Sequence, residues 1–271
     1  MAAGSSLRAS ALVSFGFDKG PRGILFEPPG PAAFGFVALI IVVLLSLMAA
    51  MRGAFVVLEG CDRAGKSTQV ARVAERLAVK TKVVAWRFPD RTTPVGAMID
   101  KYLKSEADLD DAAVHLLFAA NRHEKKAELQ KLLASGTTVV ADRYAYSGVA
   151  FTMAKNVPGL NREWCKAPDA GLPRPDATIF LHLDTEAAAK RGGFGEERYE
   201  TTDMQRNVAK AFTSLQDASW TVLDAGQPLD DVTDAIMDAV APVVQACADG
   251  TAGDLRTLWE DDDVTPAARG A

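Results

Sequence analysis

The sequence predicts a three-layer α/β domain, in which a five-stranded parallel sheet is covered by helices on both faces. Three observations lead there. Five short runs rich in β-branched and apolar residues recur from Ala54 onward, longer helical stretches separate them, and the glycine turn Gly60-Cys61-Asp62-Arg63-Ala64-Gly65-Lys66-Ser67 follows the first run. Near-continuous apolarity marks parallel strands buried on both faces, and the βαβ order demands crossover helices that cover the sheet.

In chain order the strand runs are AFVVLE (Ala54 to Glu59), KVVAW (Lys82 to Trp86), TTVVAD (Thr137 to Asp142), ATIFLHL (Ala177 to Leu183) and WTVLDA (Trp220 to Ala225). A helix from Lys66 to Lys80 opens on the glycine turn, and a long one from Asp111 to Leu133 stops at Ser135-Gly136. Further helices are expected after Ser147, Asp184, Asp203 and Leu229. Ligands of such a sheet gather beyond the carboxyl ends of its strands. Residues 51–260 read as the working domain, closed by a packing segment around Leu255, Leu258 and Trp259, and residues 261–271 read as a disordered acidic tail.

The 271 residues carry a net charge of −5. With no global basic field, a nucleic acid polymer is excluded as a charge-recruited partner, and any nucleotide must sit in a local pocket. Cys61, Cys165 and Cys247 are odd in number and widely spaced, which argues against a disulfide framework or zinc site and for a reducing compartment. Residues 1–50 stand apart. No charge falls between Glu27 and Arg52, and the apolar stretch from Phe34 to Met51 is just long enough to span a bilayer, with Arg8, Lys19 and Arg22 upstream. A signal anchor, an organelle-targeting extension and a segment outside the working protein all fit, since Met51 opens a sequence that reads as a complete domain. The domain itself is expected in the cytoplasm; a nuclear or mitochondrial address, or anchoring through residues 34–51, depends on that extension.

The glycine turn fits GxxxxGK[ST] between a strand and a helix, the setting in which this pattern cradles phosphates. Backbone N–H groups from Gly60 to Thr68 wrap a triphosphate, Lys66 reaches its β- and γ-phosphates, and Ser67 is placed to ligate Mg²⁺. Arg63 can cover a phosphoryl group in flight, where such arginines are worth roughly 10³ to 10⁵ in rate. Asp62, repelled by phosphates, needs a hydroxyl or cation as partner, and a sugar hydroxyl suits it.

The segments VVLEGCDRAGKSTQ, WRFPDRTTPVG, VHLLFAANRHE, VVADRYAYSGVAFT, WCKAPDAGLPRPDATIFLHLD and AAKRGGFGEERYE follow in that order. Together, from about Phe55 to Trp259, they resemble the thymidylate kinase family, especially its eukaryotic type with an arginine in the P-loop. The resemblance implies a P-loop nucleoside monophosphate kinase fold with a mobile lid, and phosphoryl transfer from Mg-ATP to dTMP, giving dTDP and ADP for dTTP synthesis. It implies that Arg91 grips the dTMP phosphate, with Arg143 as second clamp and Phe88 alongside. Phe118 and Arg122, four residues apart on one helix face, would stack on thymine and donate to its carbonyl; taken alone, Phe118 reads as core.

Asp142 ends a strand where Mg²⁺ or its waters need a negative partner, although an aspartate there also suits a helix cap. The resemblance implies that Ser147 and Phe151 line the thymine edge and the sugar. Arg191 to Glu200 resembles the lid, with Arg191 on ATP phosphates, Tyr199 on the dTMP sugar and Glu200 in the metal's water shell; a Gly-rich linker is the alternative. Arg63, Lys66 and Asp142 are the expected catalytic residues, and a homodimer is expected. Cys61 departs from the small apolar residue usual in the family, and residues 1–50 have no counterpart there. A deoxynucleoside kinase, needing a carboxylate base for a hydroxyl acceptor, another pyrimidine monophosphate kinase, and a membrane-tethered nucleotide-binding module that has lost catalysis are the rival readings.

Overall fold

The computed structural model describes residues 51–189, 195 and 197–260. Five parallel strands, β1 (Phe55–Glu59), β2 (Val83–Arg87), β3 (Thr138–Asp142), β4 (Ala177–His182) and β5 (Trp220–Asp224), form one sheet in the order β2-β3-β1-β4-β5. β1 pairs Leu58 with Asp142 of β3 on one side and with Ile179 of β4 on the other. The strand ends carrying the glycine turn and Asp142 are therefore neighbours. Central β1 and β3 are buried at every residue, whereas edge strands β2 and β5 are half-exposed.

Successive side chains of β1 point to opposite faces and found two cores. Phe55 and Val57 pack with Leu129, Leu133, Tyr144 and Phe212, while Val56 and Leu58 pack with Val70, Val73, Ile236 and Val240. The helices supplying these residues are α1 (Lys66–Leu77), α3 (Asp111–Ala134), α7 (Thr202–Leu215) and α8 (Leu229–Ala248), while Tyr144 stands at the N-terminal cap position of α4 (Ala145–Met153). The other described helices are α2 (Pro94–Leu103), α5 (Arg162–Lys166), α6 (Thr185–Ala189) and a single 3-10 turn at Ala167–Asp169.

Two expectations need adjusting. α1 ends at Leu77 rather than Lys80, because the chain turns there, with the Lys80 and Thr81 amides both donating to the Leu77 carbonyl. Besides the five-residue α5, α2 was not foreseen. Its Pro94 reads as a breaker, yet it stands in the first turn, where its missing N–H is not needed, and the Thr93 hydroxyl accepts from the Gly96 amide at 2.9 Å as the cap. At the carboxyl end Leu258 is buried, its amide donating to the Leu172 carbonyl at 2.8 Å. Among the described residues no helix is long and apolar enough to cross a membrane; the apolar run and the acidic tail fall outside them.

Candidate active site

The turn between β1 and α1 needs backbone that few side chains tolerate. Gly60 and Gly65 have φ of 148° and 89°, and a Cβ on Gly60 would stand 2.6 Å from the Leu181 carbonyl oxygen. Arg63 adopts φ 63° without being glycine, at the tip of the loop. The Lys66 ammonium folds back over the loop and donates to the Cys61 carbonyl at 2.7 Å. Burial, then the neighbouring Arg143 charge, pulls its pKa down to about 8. Ser67 donates its hydroxyl proton to Oδ2 of Asp142, and Oδ1 of that carboxylate is buried without a hydrogen-bond partner. Asp142 does not cap α4, whose first turn is held instead by Glu59, so the capping alternative is set aside.

Glu59, the last residue of β1, is fully buried. Its carboxylate accepts from the Tyr144 and Ser147 amides at 2.9 and 3.1 Å and from the Ser147 hydroxyl at 2.5 Å. Burial pushes its pKa up, against the pull of Ser147 and Arg143. Ser147 in turn accepts from Nη1 of Arg143 at 3.0 Å, and the same nitrogen donates to the Gly60 carbonyl at 2.9 Å. Arg143, at φ 68°, is thus held across the glycine turn.

Two cavities open at this end of the sheet. One is lined by Arg63, Gly65, Lys66, Ser67, Thr68 and Asp142, among others, and Gly60 and Ala64 lie in the turn beneath it. Phe88, Arg91, Phe118, Arg122, Phe151 and Tyr199 line the other, deeper and more apolar one, together with Ser147. Asp62, Arg87, Arg143 and Glu197 belong to both walls. The four side chains that sequence reasoning set against the glycine turn, Arg91, Phe118, Arg122 and Arg143, are therefore together and adjoin it.

Four arginines of the two cavities, Arg63, Arg91, Arg122 and Arg143, hold carboxylates. Asp62 accepts from Nη2 of Arg143, and from Nε2 of Gln205 at 2.7 Å. Burial works to raise the Asp62 pKa, but Arg143 and Lys66 outweigh it and hold it below the ordinary value. Nη1 of Arg91 donates to Asp100 at 2.8 Å, and its Nη2 approaches Glu197 at 2.7 Å. Nε of Arg63 donates to Glu200 at 3.0 Å. Arg122 donates through Nε and Nη2 to the two oxygens of Asp169, at 2.7 and 2.8 Å, with both side chains buried. Phe88 is buried between Trp86 and Tyr144, and the Phe151 ring lies 5.5 Å from Tyr199 and 5.0 Å from the Arg143 guanidinium.

Arg191, expected on the ATP phosphates, lies outside the described residues, as do 192–194 and Glu196. Sequence reasoning passed over Glu59, Asp169, Gln205 and Glu197. Glu59 alone left a signal: a lone carboxylate ending an otherwise apolar buried strand must have partners.

An arrangement of this kind, a cationic glycine turn facing an apolar pocket lined with arginines, suits transfer between two bound phosphates. The family model for thymidylate kinase matches residues 58–236. A thymidylate kinase of Arabidopsis thaliana is 46% identical over 209 residues, covering 77% of this chain and 78% of that protein. Those of Danio rerio and Homo sapiens are 44% and 42% identical, each over 77% of this chain and 99% of theirs. The solved structure of the Candida albicans thymidylate kinase superposes with a TM-score of 0.64 at 38% identity, over 70% of this chain and 92% of that one. The sheet and its flanking helices are those of a P-loop nucleoside monophosphate kinase, and the chain belongs to the thymidylate kinase family.

Proposed function

We propose that the chain carries out the reaction of its family, moving the terminal phosphate of ATP to dTMP and giving dTDP and ADP on the way to dTTP, with the residues above in the following roles. The observation that supports this reading is the wall of Asp62, Arg87, Arg143 and Glu197 common to the two cavities, across which an acceptor phosphate would face a triphosphate held in the turn. Lys66 and Arg63 neutralise the γ-phosphoryl group, and Arg91 and Arg143 hold the acceptor phosphate in line with it. Phe118 stacks on thymine, Arg122 donates to a carbonyl oxygen of the base, and Ser147, Phe88, Phe151 and Tyr199 form the walls about base and sugar. The acceptor oxygen is already anionic, so no strong base is needed.

Mg²⁺ fits the oxygens present. Asp142 keeps a buried oxygen without a partner beside the Ser67 hydroxyl, and among the described residues no group of three acidic, His or Cys side chains could hold an ion unaided. Magnesium commonly takes one or two protein ligands and draws the rest from water and phosphate. Bound there, it supplies charge neutralisation at the β- and γ-oxygens. Glu200 then belongs to the water shell, and Arg191 to the lid over ATP.

Occupancy exchanges partners: phosphates replace Glu197 on Arg91 and Asp62 on Arg143, which frees Asp62 for a sugar hydroxyl. The reading takes residues 51–260 as the working unit, in the cytoplasm and as a homodimer, and light scattering of residues 51–271 tests the last. Steady-state rates with dTMP, dUMP, UMP and thymidine test the reaction. dTMP is expected to give the highest kcat/KM, and a preference for thymidine would end the proposal.

A further inference from the structure

The inner wall of the acceptor cavity contains a hydroxyl to which the roles above give nothing. Thr152, in α4, lines the cavity near Arg122, Gly148 and Phe151, and its Oγ1 lies 2.7 Å from Nδ1 of His115. His115 is wholly buried in α3, and its other ring nitrogen, Nε2, lies 2.9 Å from the Cys165 carbonyl oxygen. A carbonyl oxygen can only accept, so Nε2 carries the ring proton. Burial, with the Arg122 charge nearby, pushes the ring's pKa below its usual value and keeps it neutral, which leaves Nδ1 a bare acceptor. The single hydroxyl proton of Thr152 is therefore directed at His115, and lone pairs are what the oxygen can offer the cavity. Arg122 has the opposite polarity. It only donates, and with Nε and Nη2 held by Asp169, Nη1 is the nitrogen left for the cavity.

We propose that Thr152, with its hydroxyl oriented from behind by His115, is a specificity-determining acceptor for the N3–H of a pyrimidine whose 4-carbonyl meets Arg122. This inference rests on the dTMP reading and deepens it. Thymine and uracil present a carbonyl beside an N–H, which complements a donor beside an acceptor. Cytosine reverses both groups: its amino group would face guanidinium N–H, and its bare N3 the lone pairs of Thr152. A buried site whose polar groups are left mispaired rejects the wrong partner strongly. His115 is thus a positioning residue, acting through Thr152 without touching the base.

The test is kcat/KM for dTMP and for dCMP with the full chain, its Thr152→Val variant, which keeps the side-chain outline, and its His115→Phe variant, which frees the hydroxyl to turn. Thr152→Val is expected to lower kcat/KM for dTMP about tenfold, through KM with kcat nearly kept, and not to lower that for dCMP. His115→Phe is expected to raise kcat/KM for dCMP and to shrink the dTMP to dCMP ratio by about tenfold. A ratio unchanged by Thr152→Val overturns the proposal, and that variant decides the matter should His115→Phe not fold. A parent chain that does not phosphorylate dTMP would instead sink the functional reading on which this one stands.

Discussion

Replacing Asp169 by alanine tests how far the acceptor cavity depends on a single buried ion pair. Both oxygens of Asp169 take up Arg122, and the two side chains are 0% and 3% exposed. Solvent cannot compensate for the loss. Removing one partner of such a pair leaves an uncompensated buried charge and costs about 3–5 kcal/mol, a large share of the roughly 5–15 kcal/mol that holds a typical domain together. At roughly 2–4 °C per kcal/mol for a chain of this size, Asp169→Ala should lower the melting temperature by about 6–20 °C.

The double variant Asp169→Ala/Arg122→Met removes the stranded charge as well and should regain most of that loss, since an apolar replacement of both partners is often near neutral. Melting followed by circular dichroism for the parent, both single variants and the double variant closes the cycle. A drop of less than about 2 °C for Asp169→Ala, or a double variant no more stable than it, would refute the reasoning. Arg122 without its brace should also raise KM for dTMP, even at temperatures where the variant stays folded.

Two further outcomes follow from the site. The Lys66 pKa is depressed to about 8 in the folded chain, so below that pH both folded and unfolded chains hold the proton, and the folded one bears the full cost of the buried charge. Lys66→Met should accordingly raise stability near neutral pH by up to roughly 3 kcal/mol, an advantage that fades between about pH 8 and 10.4, where the folded lysine has lost its proton and the unfolded one has not. Denaturant unfolding across pH measures it, and ATP should stabilise the parent but not the variant. Glu59→Gln turns an amide N–H₂ toward at least one of three donors, and should cost about 1–3 kcal/mol in denaturant unfolding. Because Glu59 steadies Ser147 and Ser147 steadies Arg143, the same change should raise KM for dTMP more than KM for ATP.

The strands were legible because burial on both faces writes an unbroken apolar run, and their observed ends differ from the expected ones by no more than a residue. The glycine turn was legible because phosphate-cradling backbone demands glycine at fixed places. Helix α3 was found from its length and its Ser135-Gly136 stop rather than from amphipathicity, since it buries His115, Asn121 and Arg122 along with its apolar residues. α2 escaped because a proline in a first turn and a proline that ends a helix look alike until the Thr93 cap is seen.

The geometry of the site was legible as a list of cations and hardly at all as a network. Arg91, Arg122 and Arg143 announce themselves by charge and position. Apart from Asp100, nine residues beyond Arg91, their carboxylate partners Glu197, Asp169 and Asp62 come from elsewhere in the chain, 106, 47 and 81 residues away. No local spacing encodes such pairings. The Asp62 reading shows the effect: a hydroxyl or a cation was expected, and the partners are the Arg143 guanidinium and Gln205, neither of which its position in the sequence names.

Since Arg63, Arg91 and Arg143 already hold carboxylates, the cleft offers anions an exchange of partners. Chloride or bicarbonate, with one charge, brings an arginine nothing beyond what its resident carboxylate gives. A phosphate ester brings nearly two charges and three oxygens, enough to displace that carboxylate and fill the fork it leaves. Ordinary salts should therefore compete with the nucleotides far less than the number of arginines would lead one to expect.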